Sequence, residues 1–258
     1  MGERERLLAH YYELEYGEYV EDVEFYVQYA TALDPERGLP VLELGCGTGR
    51  IAVALALAGF RVVGVDSSPE MLQVCDGKAR AAGVQDKVTL VAADMRDLPA
   101  LPPGPYNFAF CALNTFAYLL STEEQLAVLG AVREALVQHG ILVLDLTAPR
   151  ADLLPPSSGE IVHQGTYPDS DGSWVHKSLT GVEEPSAQTH HVTLLYDREG
   201  ADGSLTRTSQ SLSMRWTGRY EMELLLRLAG YALEKTYGSY ELDDYGDESP
   251  RMIFVART

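Results

Sequence analysis

The stretch VLELGCGTGR, residues 41–50, contains the pattern that decides the fold. Its first four residues predict a short buried strand, and the apolar segment 51–58 predicts a helix. Gly45, Gly47 and Gly49 allow a tight turn between the two elements and a close approach of a ligand to the backbone. A strand, a glycine turn and a helix N-terminus in this order predict a nucleotide-type pocket.

The same alternation of strand and helix continues to residue 146. Further strands are predicted at 61–66, 88–92, 106–112 and 141–146, with helices between them. The helix after residue 66 begins with Ser67 or Ser68 as its cap, and the next begins at 121–124 and runs to about residue 138. Alternation of this kind is typical of parallel βαβ units, and therefore of a doubly wound α/β sheet.

The pattern changes after residue 149. Short alternating segments are separated by the turns DSDG (169–172) and REGADGS (198–204), which predicts three or four antiparallel strands inserted into the parallel architecture. PPSSG at 155–159 is the predicted boundary of this insertion. Helical periodicity returns at 220–228, and two final strands are predicted at 231–237 and 252–256.

Composition excludes several classes of function. The chain of 258 residues has a net charge of -18, which repels phosphate backbones and disfavours nucleic acid as a partner. The cysteines show no CxxC or disulfide pattern, and the six histidines do not have the spacing of metal ligands. The first residues are charged where a signal peptide would be apolar. The most apolar helix is too short to cross a bilayer, which disfavours a membrane partner. Together these features predict a cytoplasmic protein that holds no metal.

Arg50 and three features at successive strand ends narrow the identity of the nucleotide. The dinucleotide fingerprint requires a glycine where Arg50 stands, which disfavours a dehydrogenase. Asp66 ends the second strand, where a carboxylate suits a ribose diol. Asp94 and Met95 follow the third, where an acid can accept from an exocyclic amine and a methionine can cover a base. The segment 114–119 follows the fourth strand, at the edge where open α/β sheets bind ligands.

With these residues in place, the chain resembles the class I S-adenosylmethionine-dependent methyltransferases over nearly its whole length. The first motif of that family matches residues 43–49, its ribose-binding acid falls on Asp66, and its adenine-side acid falls on Asp94. The resemblance implies S-adenosylmethionine as the cofactor and a Rossmann-like, seven-stranded sheet whose last strand is antiparallel. The residues that it assigns to the cofactor are Gly45, Cys46, Gly47, Asp66, Ser67, Met71, Asp94, Met95 and Leu113. A narrower resemblance, described next, adds Tyr12 and Tyr16 as lid residues against the methionine portion of the cofactor.

A narrower resemblance connects the chain with small-molecule N-methyltransferases that act on glycine or on aminosugars. It rests on the tyrosine-bearing segment 11–16, on the strand insertion, and on Arg215 with Trp216 at the end of that insertion. The implied domains are an N-terminal helical lid (1–36), a cofactor-binding core (37–150 and 218–258), and an inserted antiparallel cap over the acceptor site (151–217). The alternative for the lid is an amphipathic helix whose tyrosines only pack.

Two residues are candidates for the acceptor site. Tyr118 follows the fourth strand and is predicted to orient the acceptor, since a phenol is a poor base at neutral pH; the alternative is a packed aromatic residue. Arg215 is the candidate partner of an acidic group on the substrate, unless it pairs with an acid of the chain. His190 and His191 are adjacent on a predicted strand and should point to opposite faces.

The predicted function is methyl transfer by in-line displacement to a small-molecule acceptor, with an amine nitrogen preferred. The alternative is a sensor of S-adenosylmethionine or a non-catalytic partner subunit. A nucleic-acid methyltransferase is opposed by the charge, and residues 112–115 lack the [DN]-P-P-[YF] loop typical of enzymes that methylate base amines. The acceptor's identity and assembly into a homo-oligomer are left open by the sequence.

Overall fold

The computed structural model describes residues 2–97, 102, 104–150 and 159–258. In chain order the elements are α1 (Glu3–Tyr16), α2 (Val23–Leu33), β1 (Val41–Leu44), α3 (Arg50–Leu57), β2 (Val62–Asp66), α4 (Pro69–Ala81), β3 (Val88–Ala92), β4 (Tyr106–Cys111), α5 (Thr122–Ala135), β5 (Leu136–Thr147), β6 (Val162–Pro168), β7 (Trp174–Glu184), β8 (Thr189–Glu199), β9 (Leu205–Arg215), α6 (Arg219–Leu228), β10 (Ala232–Tyr237) and β11 (Arg251–Arg257). The described residues form two compact units, one from Met1–Tyr19 with Ala151–Trp216 and one from Val20–Arg150 with Thr217–Thr258.

The larger unit contains a seven-stranded sheet in the order β10-β11-β5-β4-β1-β2-β3. The strands from β1 to β5 pair in parallel, whereas β11 is antiparallel to both of its neighbours. The predicted doubly wound α/β sheet with an antiparallel last strand is thereby confirmed. All carboxyl ends of the parallel strands lie at one edge, which is where the predicted site residues follow β1, β2, β3 and β4.

Helices cover both faces of this sheet. α5 and α6 pack with the cluster that includes Leu129 and Met222, and α2 and α3 pack with the cluster that includes Tyr26 and Ile51. The central strand β4 is buried on both faces, and its Phe110 stacks on Tyr26 of α2 with ring centroids 4.4 Å apart. Full burial of such a ring is worth roughly 1.5–3 kcal/mol, so the continuous apolar pattern of β4 reflects its central position.

The predicted helix starts agree with the structure. Ser68 caps α4, where its Oγ accepts from the Met71 amide, and Pro69 occupies the first turn. Ser121 caps α5 in a capping box with Glu124. The end of α5 was predicted three residues too late. Leu136 already pairs with Tyr106 of β4, so β5 begins there, five residues earlier than predicted. The strand passes through His139 with a φ of +65°.

The smaller unit contains a four-stranded antiparallel sheet in the order β6-β7-β8-β9. Helix α1 packs on this sheet through Leu8 and Tyr11, which contact Val175 and Tyr196. The rings of Tyr11 and Tyr196 stack at 5.0 Å. The predicted antiparallel insertion is therefore present and has four strands.

The predicted N-terminal segment 1–36 is divided between the two units. Helix α1 belongs to the unit with the four-stranded sheet, and α2 belongs to the unit with the seven-stranded sheet. Packing explains the division, because Phe25 and Tyr26 of α2 are buried within a core cluster of the larger sheet. The predicted boundary at 155–159 lies outside the described residues except for Gly159.

Candidate functional site

The glycine loop after β1 has the backbone that its sequence requires. Gly45, Gly47 and Gly49 have φ values of +71°, +53° and +77°, a region that favours glycine. The amides of Gly45 and Cys46 both donate to the Val65 carbonyl, at 2.7 and 3.0 Å. A Cβ on Gly45 would lie 2.3 Å from Thr115 Cγ2, so this glycine also permits contact with the segment after β4.

Asp66 connects the end of β2 to this loop. Its Oδ2 accepts from the Gly47 amide and its Oδ1 from the Ser68 amide, each at 2.8 Å. Burial raises the pKa of Asp66, against the opposing effect of these two hydrogen bonds. A carboxylate has about four acceptor positions, so two remain for the hydroxyls of a ribose. The residue therefore fits the predicted ribose-binding role.

Asp94 follows β3 and is held by Arg96. Its Oδ1 accepts from the amide and Nε of Arg96, and its Oδ2 accepts from Arg96 Nη2 at 2.6 Å. These bonds lower the pKa of Asp94, so it is an ionised acceptor. One acceptor position on Oδ2 remains for an exocyclic amine. Met95 is partly buried beside it, against the core of the larger sheet.

The remaining predicted cofactor residues of the larger unit lie around the same edge. Ser67 is exposed between Asp66 and the cap of α4, and Met71 is half-buried in the first turn of that helix. The Cys46 thiol is buried in the direction of β2, where a Cβ on Gly64 would lie 2.8 Å from its sulfur. The Cys46 side chain thus packs beneath the loop, which leaves only its backbone available to a ligand there.

The segment after β4 is held in an unusual backbone conformation by Asp145. Leu113 and Asn114 have φ values of +47° and +65°, which non-glycine residues seldom adopt. Asp145 Oδ2 accepts from the Leu113 amide at 3.0 Å, and the Asp145 carbonyl accepts from the Asn114 amide at 2.9 Å. The fully buried Asp145 carboxylate also accepts from Tyr240 and pairs with Arg251. This buried acid was not identified from the sequence, although its position at the end of an apolar strand was a signal.

Tyr118 ends the same segment. It is 40% exposed, while its neighbours Phe116 and Ala117 are buried. Desolvation and the Asp66 carboxylate both raise the pKa of Tyr118, which indicates that its hydroxyl lies within electrostatic range of Asp66. The structure therefore brings Tyr118 to the edge that carries Asp66.

A buried ion pair explains the arginine at position 50. Arg50 Nη2 donates to Asp22 Oδ2 at 2.7 Å, and Asp22 is fully buried before α2. Glu43, the first acid of the motif, is buried beneath them, and burial raises the pKa of Glu43 well above its ordinary value. Arg50 is thus part of the core that holds α2 against α3. The sequence showed only that Arg50 replaces a glycine of the dinucleotide fingerprint, and did not reveal this role.

The smaller unit contains the other predicted residues. Tyr12 and Tyr16 lie one turn apart on α1 with ring centroids at 4.8 Å, and Glu15 beside them pairs with Lys177 of β7. Arg215 ends β9, is buried, and donates to Gln188 Oε1 at 2.8 Å.

His190 and His191 point to opposite faces of β8, as predicted. His190 is buried, whereas His191 is exposed and its Nδ1 lies 2.9 Å from Ser213 Oγ.

Other features lie away from these residues. A shallow depression along α4 and β3, lined by Leu72 and Leu90 among others, includes none of the predicted site residues. Within the described residues, no group of three or more His, Cys, Asp or Glu side chains is arranged to hold a metal ion. No helix among them has the length and apolarity needed to cross a membrane.

Comparison with known proteins identifies the family. A model of the methyltransferase domain matches residues 41–140. The cypemycin N-terminal methyltransferase of a Streptomyces species is 30% identical over 229 residues, which span 89% of this chain and 87% of that protein. The chain therefore belongs to the S-adenosylmethionine-dependent methyltransferases, an enzyme family whose methyl donor is S-adenosylmethionine.

Solved structures agree with this assignment. The CcbJ methyltransferase from Streptomyces caelestis superposes with a TM-score of 0.77 at 27% identity, over 92% of this chain and 90% of that one. The fold is shared with S-adenosylmethionine-bound CalS10, an amino pentose methyltransferase from Micromonospora echinaspora, at a TM-score of 0.72, 20% identity, and coverage of 97% and 96%. The resemblance to small-molecule methyltransferases and the S-adenosylmethionine cofactor, both indicated by the sequence, are thereby confirmed.

Proposed function

We propose that this methyltransferase transfers the methyl group to an amine nitrogen of a small molecule. When bound, S-adenosylmethionine supplies a methyl group on a sulfonium, which an acceptor takes by in-line displacement. The protein's part is to orient the acceptor and exclude water, which can contribute ~7–11 kcal/mol. Membership of an enzyme family favours this function over a sensor or non-catalytic subunit.

The observation that carries the proposal is the protonation state of Tyr118, which lies at the edge that carries Asp66. Desolvation and the charge of Asp66 raise its pKa, so its phenol is neutral at physiological pH. A neutral phenol can accept a hydrogen bond from an amine, but it cannot take the proton of an alcohol acceptor. An amine that has lost its proton in solution needs orientation alone, which Tyr118 can provide.

The cypemycin methyltransferase described above supports the same class of acceptor. Its name identifies it as an N-terminal methyltransferase of cypemycin, which supports an amine acceptor for this chain. The net charge of -18 supports a small molecule rather than a nucleic acid, because the field of the protein repels phosphates.

The proposal assigns roles to both units. In the larger unit, the proposed cofactor residues follow the carboxyl ends of the strands. They are Asp66, Ser67, Met71, Asp94, Met95, Leu113 and the backbone of Gly45, Cys46 and Gly47. Tyr12 and Tyr16 on α1 are the proposed lid residues against the methionine portion, and the antiparallel sheet with Arg215 is the proposed cap. The packing of α1 on that sheet through Leu8 and Tyr11 supports a lid and cap that form one unit.

The test is a methylation assay with matched acceptors. Purified protein is given S-adenosylmethionine with amines and with the alcohols of the same carbon skeleton, and mass spectrometry locates the added methyl group. We expect methylation on nitrogen, with a rate that rises with pH as the amine loses its proton. Preferential methylation of the alcohols would contradict the proposal.

The Tyr118→Phe variant separates orientation from base catalysis. We expect a loss of kcat/KM below about 100-fold and an unchanged pH profile, because only a hydrogen bond is removed. Loss of the alkaline rise, together with a decrease of ~10²–10⁴-fold, would instead assign Tyr118 as a general base.

A further inference from the structure

Two aromatic residues of the four-stranded sheet have buried ring nitrogens that lack a hydrogen-bond partner among the described residues. They are His190 Nε2 in β8 and Trp216 Nε1 just after β9. His190 as a whole is only 4% exposed. Nearly all buried polar atoms in proteins are hydrogen-bonded, so two such atoms indicate a group that these residues bind.

The strand register places the two residues together. His190 pairs with Met214 across β8 and β9, and the Trp216 amide donates to the Gln188 carbonyl at 2.9 Å. Trp216 follows Met214 by two residues, which places it on the same face of the extended chain as Met214 and His190. Diagonal neighbours of this kind lie about 7–8 Å apart, so one small group can contact both rings.

The chemistry of the two rings defines that group. The indole Nε1 can only donate a hydrogen bond. Burial lowers the pKa of His190, so its imidazole is neutral and offers one accepting nitrogen. A hydroxyl group satisfies both rings, because its oxygen accepts from Trp216 and its proton is donated to His190.

A carboxylate suits this place less well than a hydroxyl. Glu183 of β7 lies opposite His190 in the register, and its negative charge disfavours a second carboxylate beside it. We propose that His190 and Trp216 form a subsite for a hydroxyl group of the methyl acceptor, which makes the acceptor an amino alcohol. This inference rests on the proposed function, since it describes the specificity of the same reaction.

The two tryptophans of the chain allow a direct binding measurement. Trp174 is 48% exposed, and Trp174→Phe leaves Trp216 as the single indole fluorophore. This variant, saturated with S-adenosylhomocysteine, is titrated with trans-2-aminocyclohexanol, cyclohexylamine and trans-2-aminocyclohexanecarboxylate. We expect the amino alcohol to change Trp216 emission and to bind at least about tenfold tighter than cyclohexylamine. Equal affinities, tighter binding of the carboxylate, or no binding would each overturn the subsite.

Adjacent histidines supply a matched pair of variants. His190→Ala should reduce the preference for the amino alcohol to within about twofold, whereas His191→Ala, on the opposite face, should retain it. In the otherwise unchanged enzyme, Trp216→Phe should raise KM for the amino alcohol with little change in kcat. A loss of preference in both histidine variants would indicate a structural effect and contradict the subsite. The comparison of ligands in the parent protein remains decisive if His190→Ala does not fold.

The same ligands separate this inference from the proposed function. Methylation on nitrogen without a preference for the hydroxyl overturns the subsite and leaves the proposed function standing. A preference for the amino alcohol with the methyl group found on oxygen overturns the amine acceptor and leaves the subsite standing.

Discussion

The Asp66 carboxylate has a structural role, and we propose that it also binds the ribose of the cofactor. Two of its acceptor positions hold the backbone of Gly47 and Ser68, and the other two fit a ribose. Its position at the end of a parallel strand made it predictable from the sequence. Asp22 and Asp145 were not predictable in this way, because their arginine partners lie 28 and 106 residues away in the chain.

Asp66→Asn should weaken cofactor binding. The amide has one acceptor oxygen where the carboxylate has two, so either a backbone bond or a ribose bond is lost. Hydrogen bonds to a charged group are worth about 1.5–3 kcal/mol, and we expect the Kd of S-adenosylhomocysteine to rise by roughly tenfold or more. Isothermal titration calorimetry measures this change.

The control for this variant is Asp76→Asn. Asp76 lies on α4 and pairs with the exposed Arg80, so its replacement should leave the Kd unchanged. An unchanged Kd in Asp66→Asn as well would refute the ribose assignment.

At the scale of elements, Asp145 joins three parts of the larger sheet. It lies near the end of β5, pairs with Arg251 at the start of β11, and holds the segment after β4 through the Leu113 amide. The sequence predicted each of these elements from periodicity and caps. Their connection depends on the register in which β5 and β11 pair, which no local pattern encodes.

Asp145→Asn should destabilise the protein strongly. It leaves the mostly buried guanidinium of Arg251 without its counter-charge, and breaking a buried pair in this way costs about 3–5 kcal/mol. Urea denaturation followed by circular dichroism gives the free energy of unfolding. The matched change Asp197→Asn removes an Asp–Arg pair whose arginine is half-exposed, and should cost less than about 1 kcal/mol. Equal losses in the two variants would show that the Asp145 network contributes little.

At the scale of the whole molecule, the three cysteines are buried thiols. Burial raises the pKa of Cys46, Cys75 and Cys111, and the pKa of Cys75 rises to about 12. A thiol with a raised pKa contributes stability that is fully present below its unfolded-state pKa, near ~8.5, and is lost as pH rises toward the folded-state pKa. The protein should therefore lose stability as pH rises from about 8.5 toward 12.

The Cys75→Ala variant tests this alkaline loss. Each such thiol contributes a slope of about 1.4 kcal/mol per pH unit to the free energy of unfolding well above pH 8.5. Urea denaturation at pH 7.5, 9 and 10 should show a shallower decrease in Cys75→Ala than in the parent, whatever its stability at pH 7.5. The same slope in both proteins would contradict the assignment.

The sequence by itself determined the parallel α/β sheet, the inserted antiparallel strands, the family and the cofactor. These properties follow from hydrophobic periodicity, turn residues and a glycine loop. Such signals can be recognised in short segments of the sequence, because they reflect the local backbone conformation and the residues at strand ends. Only the tertiary structure decided which polar groups are buried together: Asp22 with Arg50, Asp145 with Arg251 and Tyr240, and His190 on one face with Trp216. Those pairings depend on strand register and helix packing, which bring together residues that are far apart in the chain.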